Sequence, residues 1–186
     1  MMEELSLHIL DLMENSLAAG ASLLELKIIE DPAANWMVIE LTDNGKGMSE
    51  GEAEAALDPF FTTHTTRRVG LGLPLFKATA EQCGGSLTLI SQPGKGTRVV
   101  VTLELSHIDR PPLGDIGATI ASILSREEPP EVYYYHQRGK KAFGFSTSWL
   151  KDRLGDVPIN LAPVLKWVQS HINEGLKALH GGEDGL

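Results

Sequence analysis

Asp11 and Asn15 stand four residues apart in the run D-L-M-E-N, and on a helix that spacing sets a carboxylate and an amide on one face. A magnesium-phosphate centre uses such a pair, and an ordinary solvated helix face carries it equally well. Asn15 follows Leu12 and Met13, which places it toward the buried side, where an amide needs a partner such as a hydrated metal. Further along, Asp43-Asn44-Gly45-Lys46-Gly47-Met48 puts a carboxylate before glycines that let backbone approach a ligand closely. An ionised aspartate accepts a hydrogen bond from an exocyclic amine such as adenine N6. The same residues also make a plain turn.

Between Asp58 and Arg68, Phe60 and Phe61 lie between Pro59 and the threonines Thr62, Thr63, Thr65 and Thr66, with Arg67 and Arg68 at the end. A loop of this composition can fold over a triphosphate, its aromatics fixing the hinge and Arg67 or Arg68 meeting the γ-phosphate. A surface loop with a hydrophobic plug is the alternative, and His64 within it reads as solvated. Gly70-Leu71-Gly72-Leu73 then opens a helix whose unpaired N–H groups and dipole favour phosphate, and Pro74 suits the first turn. Neither G-x-G-x-x-G nor G-x-x-x-x-G-K-[ST] occurs in the chain. The four motifs in this order fit a single nucleotide pocket.

The elements that must hold those residues follow from periodicity. Leu5, Ile9, Leu12, Met13 and Ser16 recur every three to four residues, which predicts a helix over 3–19 with one buried stripe. Leu24, Leu26 and Ile28, then Trp36, Val38, Ile39 and Leu41, mark two strands joined at Asp31-Pro32, with Asp43 at the end of the second. A short helix starts at Ser49, another runs 71–82 to Gly84-Gly85, and a hairpin spans 86–91 and 97–105. Helices on one face of a mostly antiparallel sheet make an α+β two-layer sandwich.

With 186 residues and 42% apolar content, the chain has room for one ordinary domain and a smaller one. The net charge of −9 argues against a nucleic-acid or anionic-lipid partner. No apolar run approaches the roughly 20 residues of a bilayer span, so a cytoplasmic protein is expected. The lone Cys83 reads as a small buried residue. Residues 1–105 hold 15 acidic and 7 basic side chains, and residues 106–186 hold 10 and 9. R-P-P-L-G at Arg110 to Gly114 marks the boundary, dividing the chain into 1–109 and 110–186.

Together the motifs resemble the GHKL superfamily of DNA gyrase, the heat-shock chaperone ATPase, histidine kinases and the mismatch-repair ATPase MutL. The likeness covers residues 5 to 105: the N-box at Asp11 to Asn15, the G1 box at Asp43 to Gly47, the F-box at Phe60 to Thr63, the G2 box at Gly70 to Gly72, and the closing G-G-S-L-T-L-I-S-Q-P-G-K-G-T-R. From the F-box onward it looks most like a histidine kinase, while E-N-S-L-A-A-G-A looks like the MutL helix. The resemblance implies a Bergerat-type ATP-binding fold with ATP and Mg²⁺ as cofactors. It implies that Asn15 holds the metal, Asp43 binds the adenine amine, Gly45 and Gly47 shape the adenine pocket, and Gly70 and Gly72 hinge a lid. Met48, Phe60, Thr62, Thr63, Arg67, Arg68, Leu71, Leu73 and Thr97 complete the implied site. Where hydrolysing relatives carry a glutamate base, this chain has Asp11, one methylene shorter, as its catalytic candidate. A phosphoacceptor is expected on another protein, and His8, within the N-box helix, reads as structural.

Past Arg110 the sequence predicts a helix over 115–125, a hairpin of 132–136 with 141–146, a helix over 148–154 and a longer one over 161–179. Tyr133, Tyr134, Tyr135, Phe143, Phe145, Trp149 and Trp167 read as the core of a small α+β module, with a peptide groove as the alternative. Lys140, Lys141, Lys151 and Arg153 are solvated cations or the face of an acidic partner. The expected activity is that of an ATP-dependent protein kinase of histidine-kinase or anti-sigma type, phosphorylating or regulating a protein partner in trans. The alternative is a nucleotide-gated interaction module with slow or no turnover. Homodimerisation is left open, and a MutL-like DNA ATPase fits poorly with the acidic ATP-binding region.

Overall fold

A computed structural model describes residues 4–59 and 71–181. The first helix, α1, runs Leu5–Ala18, and its buried stripe includes Leu5, Ile9, Leu12, Met13 and Ser16. No side chain caps its N-terminus. Instead Leu5 N and Ser6 N donate to the carbonyls of Pro112 and Leu113 at 2.9 and 2.8 Å, which satisfies donors that a helix start leaves open. The Pro-Pro connection is therefore packed onto the beginning of the chain.

Two strands follow, β1 (Leu23–Asp31) and β2 (Trp36–Asp43), then α2 (Glu50–Ala56), α3 (Gly72–Gln82), β3 (Ser86–Ser91) and β4 (Thr97–Glu104). Helix α2 starts in a Ser49–Glu52 capping box. After the connection come α4 (Ile116–Leu124), β5 (Glu131–Arg138), β6 (Lys141–Ser146), α5 (Thr147–Leu154) and α6 (Ala162–His180). Asp115 caps α4 through the Ala118 N–H, and a proline stands in the first turn of α6.

All six strands form one sheet in the order β3-β4-β2-β1-β5-β6. β1 lies antiparallel to β2 and parallel to β5, with Leu24 opposite both Asp43 and Val132. The α4 crossover makes that parallel pairing feasible. Along β1 and β2 burial alternates: Leu24, Leu26, Ile28, Met37, Ile39 and Leu41 face the helices, and Glu25 and Lys27 face away. The elements read from the sequence as a C-terminal module continue this sheet and share its core, where Ile120, Val132, Tyr134 and Val168 belong to the same cluster as Leu5 and Ile39.

The aromatic run divides by strand alternation. Tyr134 and Phe145 are buried, whereas Tyr133 and Tyr135 are exposed. Trp149 and Trp167 stay half-exposed and stack with His171, and Arg153 lies over the Trp149 ring at 4.4 Å. Lys151 pairs with Glu131.

A buried ionic cluster ties the late elements to β1. Glu30 accepts from His136 Nε2 at 2.7 Å, from His180 Nε2 at 3.1 Å and from Arg138. Burial alone would raise its carboxyl, but the hydrogen bond and charge of His136, with His180 and Arg138, hold it down at about 2. His136 also meets the Tyr134 hydroxyl through Nδ1 at 2.8 Å.

His8 faces the core, as expected. Its ring stacks on Phe76 at 4.6 Å, and Nε2 lies 3.2 Å from Thr79 Oγ1. Burial lowers its pKa from 6.5 to about 4, so the folded chain holds it neutral while the unfolded chain takes up a proton. His8 therefore costs stability as pH falls from 6.5 to about 4. His8→Phe is expected to remove about 1–2 kcal/mol of the loss between pH 7 and 5, measured by urea denaturation at both values. A chain stopped after Asp109 would lack the carbonyls that cap α1 and the strand beside β1. It is expected to lose the single cooperative transition of the full chain, followed by circular dichroism in urea.

Candidate functional site

The end of β2 carries Asp43, only 8% exposed. Three donors from different parts of the chain converge on its carboxylate. Ser16 Oγ in α1 donates to Oδ2 at 2.6 Å, and Gly45 N and Thr97 N donate to Oδ1 at 2.8 and 3.2 Å. An ionised carboxylate offers about four acceptor positions, so one remains for an incoming N–H such as an exocyclic amine.

Two glycines set the backbone around this acid. Gly47 has φ 68° and Gly96 φ 80°. A Cβ on Gly47 would sit 1.9 Å from the Gln92 carbonyl oxygen, and one on Gly96 would sit 1.9 Å from that of Asp43. The loop after β2 and the β3–β4 turn therefore touch backbone to backbone. Gly94 N donates to Lys46 O at 2.6 Å, and Met48 N donates to Ser91 Oγ at 2.9 Å. Lys46 N donates to Ala19 O at 2.9 Å, joining the same loop to the end of α1. Asn44 accepts from Ser22 N and Leu23 N, both at 2.9 Å, and fixes the α1–β1 turn.

Asp11 and Asn15 project from α1 away from its buried stripe. Asp11 is half-buried because α3 begins against it: a Cβ on Gly72 would lie 3.1 Å from Asp11 Cβ and 3.3 Å from its Oδ2. Burial pushes the Asp11 carboxyl up, and the charge of Glu14 adds to this. Asn15 departs from expectation, being exposed rather than buried. It lies off the stripe: Leu12 and Ser16, four apart and aligned, turn inward, and Asn15 takes the outer flank. The next residue, Ser16, touches Asp43, so amide and acid lie on the helical side of the sheet.

These residues suit a magnesium nucleotide. Asn15 presents an exposed amide beside a partly desolvated carboxylate, and Gly72 leaves space at α3 where a side chain would crowd Asp11. Among the described residues no group of three or more His, Cys, Asp and Glu gathers as a metal site. α3 begins at Gly72 with Leu71 as an N-cap lacking a side-chain bond, and the N–H groups of Gly72 and Leu73 have no partner within the helix. A cavity of about 170 Å³ adjoins Asp43, Lys95, Gly96 and Thr97. A larger one, about 600 Å³, lies elsewhere, among Lys27, Tyr133, Tyr135, Trp149 and His171. Neither Asp11 nor Asn15 lines this larger cavity.

Of the residues singled out in the sequence, Asp43, Gly45, Gly47, Met48 and Thr97 come together, and Asp11, Asn15, Leu71, Gly72 and Leu73 flank them along α1 and α3. Phe60, Thr62, Thr63, Arg67, Arg68 and Gly70, with His64, lie outside the described residues. Ser16, Asn44, Ser91 and Gly96 support this group although the motifs did not single them out. Ser16 gave a signal: a hydroxyl in an apolar stripe needs a partner.

The model of the family described as histidine kinase-, DNA gyrase B- and HSP90-like ATPase matches residues 3–107, and the chain belongs to that family. The sensor histidine kinase ZraS of Escherichia coli O157:H7 is 30% identical over 112 residues, covering 60% of this chain and 24% of that protein. The autoinducer 2 sensor kinase/phosphatase LuxQ of Vibrio cholerae is 27% identical over 153 residues, covering 73% of this chain and 18% of that one. The chain thus spans about a quarter or less of these relatives. A crystal structure of the N-terminal domain of a DNA repair protein shares the fold with TM-score 0.52 and 17% identity, over 78% of this chain and 53% of that one. No helix among the described residues is long and apolar enough to cross a membrane.

Gly96→Ala tests the backbone crossing. The added methyl, 1.9 Å from the Asp43 carbonyl oxygen, is expected to lower the melting temperature by several degrees, with about 2 kcal/mol lost. Adenine-nucleotide affinity, read by calorimetry, is expected to fall with it.

Proposed function

We propose that this chain is an ATP-dependent kinase module of histidine-kinase or anti-sigma type that phosphorylates or regulates a separate protein in signal transduction. The observation that carries the reading is the Asp43 carboxylate, held by Ser16, Gly45 and Thr97 with an acceptor position to spare, next to the helix bearing Asp11 and Asn15. Asp43 would accept from the adenine amine, and Gly45 and Gly47 would admit the base. Asn15 would hold Mg²⁺, which when bound neutralises phosphate charge and orients the transferring group. Asp11 would take a proton from the attacking group directly or through one water. Gly70 and Gly72 with Arg67 or Arg68 would close over the phosphates. Residues 110–186 would offer the partner surface, with Trp149 and Trp167 half-exposed there.

One observation favours the second reading, a nucleotide-gated module with little turnover. Asp11 is short, and Gly72 packs against its Cβ, which limits its reach toward a water. Incubating the full chain with Mg²⁺ and γ-labelled ATP, alone and with co-purified partners, separates the two. Phosphate release or partner labelling that falls about 10²-fold or more in Asp11→Asn, with ATP affinity within a few-fold of wild type, is expected for a kinase. Binding without product supports the gated module. No rise in melting temperature with Mg²⁺ and ATP would overturn both.

A further inference from the structure

The outer face of α1 carries Glu14 as well as Asp11 and Asn15. Glu14 is three residues beyond Asp11, so both carboxylates share one flank, and the charge of Glu14 already pushes the Asp11 carboxyl up. A polyanionic triphosphate beside Asn15 would meet this additional negative charge in a chain already at −9.

Glu14 has one ion-pair partner among the described residues, and it comes from beyond the stretch that defines the family. Arg126, two residues past the end of α4, donates through Nη2 to Glu14 Oε2. Its main chain is pinned, since Asn160 Nδ2 donates to Arg126 O at 3.0 Å. Its Nε is buried and finds no hydrogen-bond partner among the described residues. The guanidinium thus bridges α4 and α1 from a fixed base, and its side chain stays 39% exposed beside a Glu14 that is 45% exposed.

We propose that Arg126 is a positioning residue for the nucleotide: it neutralises Glu14, so that the flank of α1 bearing Asp11 and Asn15 accepts the magnesium-bound phosphates. The assignment rests on the nucleotide reading of α1. It makes residues 110–186 part of the binding apparatus through charge, with the guanidinium held on Glu14 and not on the phosphates.

The test is calorimetry of the full chain with ATP, ADP and AMP in the presence of Mg²⁺, with melting temperatures as a check on folding. Arg126→Gln is expected to weaken ATP about three- to tenfold, ADP less and AMP least, with the loss shrinking at high salt. Arg126→Lys keeps the charge and should stay near wild type. Glu14→Gln combined with Arg126→Gln removes both charges and should return ATP affinity to within about twofold of wild type. Unchanged ATP affinity in Arg126→Gln overturns the proposal while leaving the nucleotide site intact. A loss that the double variant fails to restore also overturns it, and points to a direct guanidinium–phosphate contact or a folding defect. Absence of nucleotide binding by the wild-type chain defeats the underlying site and this proposal together.

Discussion

Backbone contact between the loop after β2 and the β3–β4 turn holds the Asp43 site together. At Gly47 and Gly96 the two segments approach so closely that a single methyl at either would overlap a carbonyl oxygen. Left-handed φ and zero side-chain volume are both required, and glycine alone supplies them without strain. The contact presents the Thr97 N–H to Asp43 and leaves Ser16 to close the other side of the carboxylate. A strand-end acid held in this way is preorganised for a ligand N–H, because its geometry is already fixed before anything binds.

The helix facing that acid is positioned by both halves of the chain. Its start is capped by the carbonyls of Pro112 and Leu113, its stripe packs in a core shared with α4, and its end is bonded to Lys46. Glu30 adds a second tie, drawing β5 and the last turn of α6 onto β1 through His136, Arg138 and His180. A buried charge with several donors locks geometry even where its net contribution to stability is small. The composition change at Arg110 is thus crossed by a continuous sheet. Events at the half-exposed tryptophans therefore lie a few packed elements from Asp11.

Local structure was legible because its determinants are local. The helices over 5–18 and 72–82, the short helix begun at Ser49, and the hairpin of β3 and β4 fall within a residue or two of the expected spans. Periodicity, caps and glycine breaks all act over a few residues. Motif order brought Asp43, Gly45, Gly47 and Thr97 into one group, and the structure sets them side by side. The environment of Asn15 was not legible, because one turn of helix separates an inward from an outward position, and burial depends on what packs there. The Tyr133–Tyr135 run shows the same limit, since strand alternation sends its members to opposite faces.

The element types, the α+β class and the set of groups available to bind a nucleotide all follow from residue chemistry repeated at short spacing. Long-range packing is what brings β5 into the sheet beside β1, sets Pro112 and Leu113 on the start of α1, and lets Arg126 reach Glu14. Those contacts join residues about a hundred positions apart. Nothing in a short window encodes them, because they are set by how the buried faces of all the elements fit together at once.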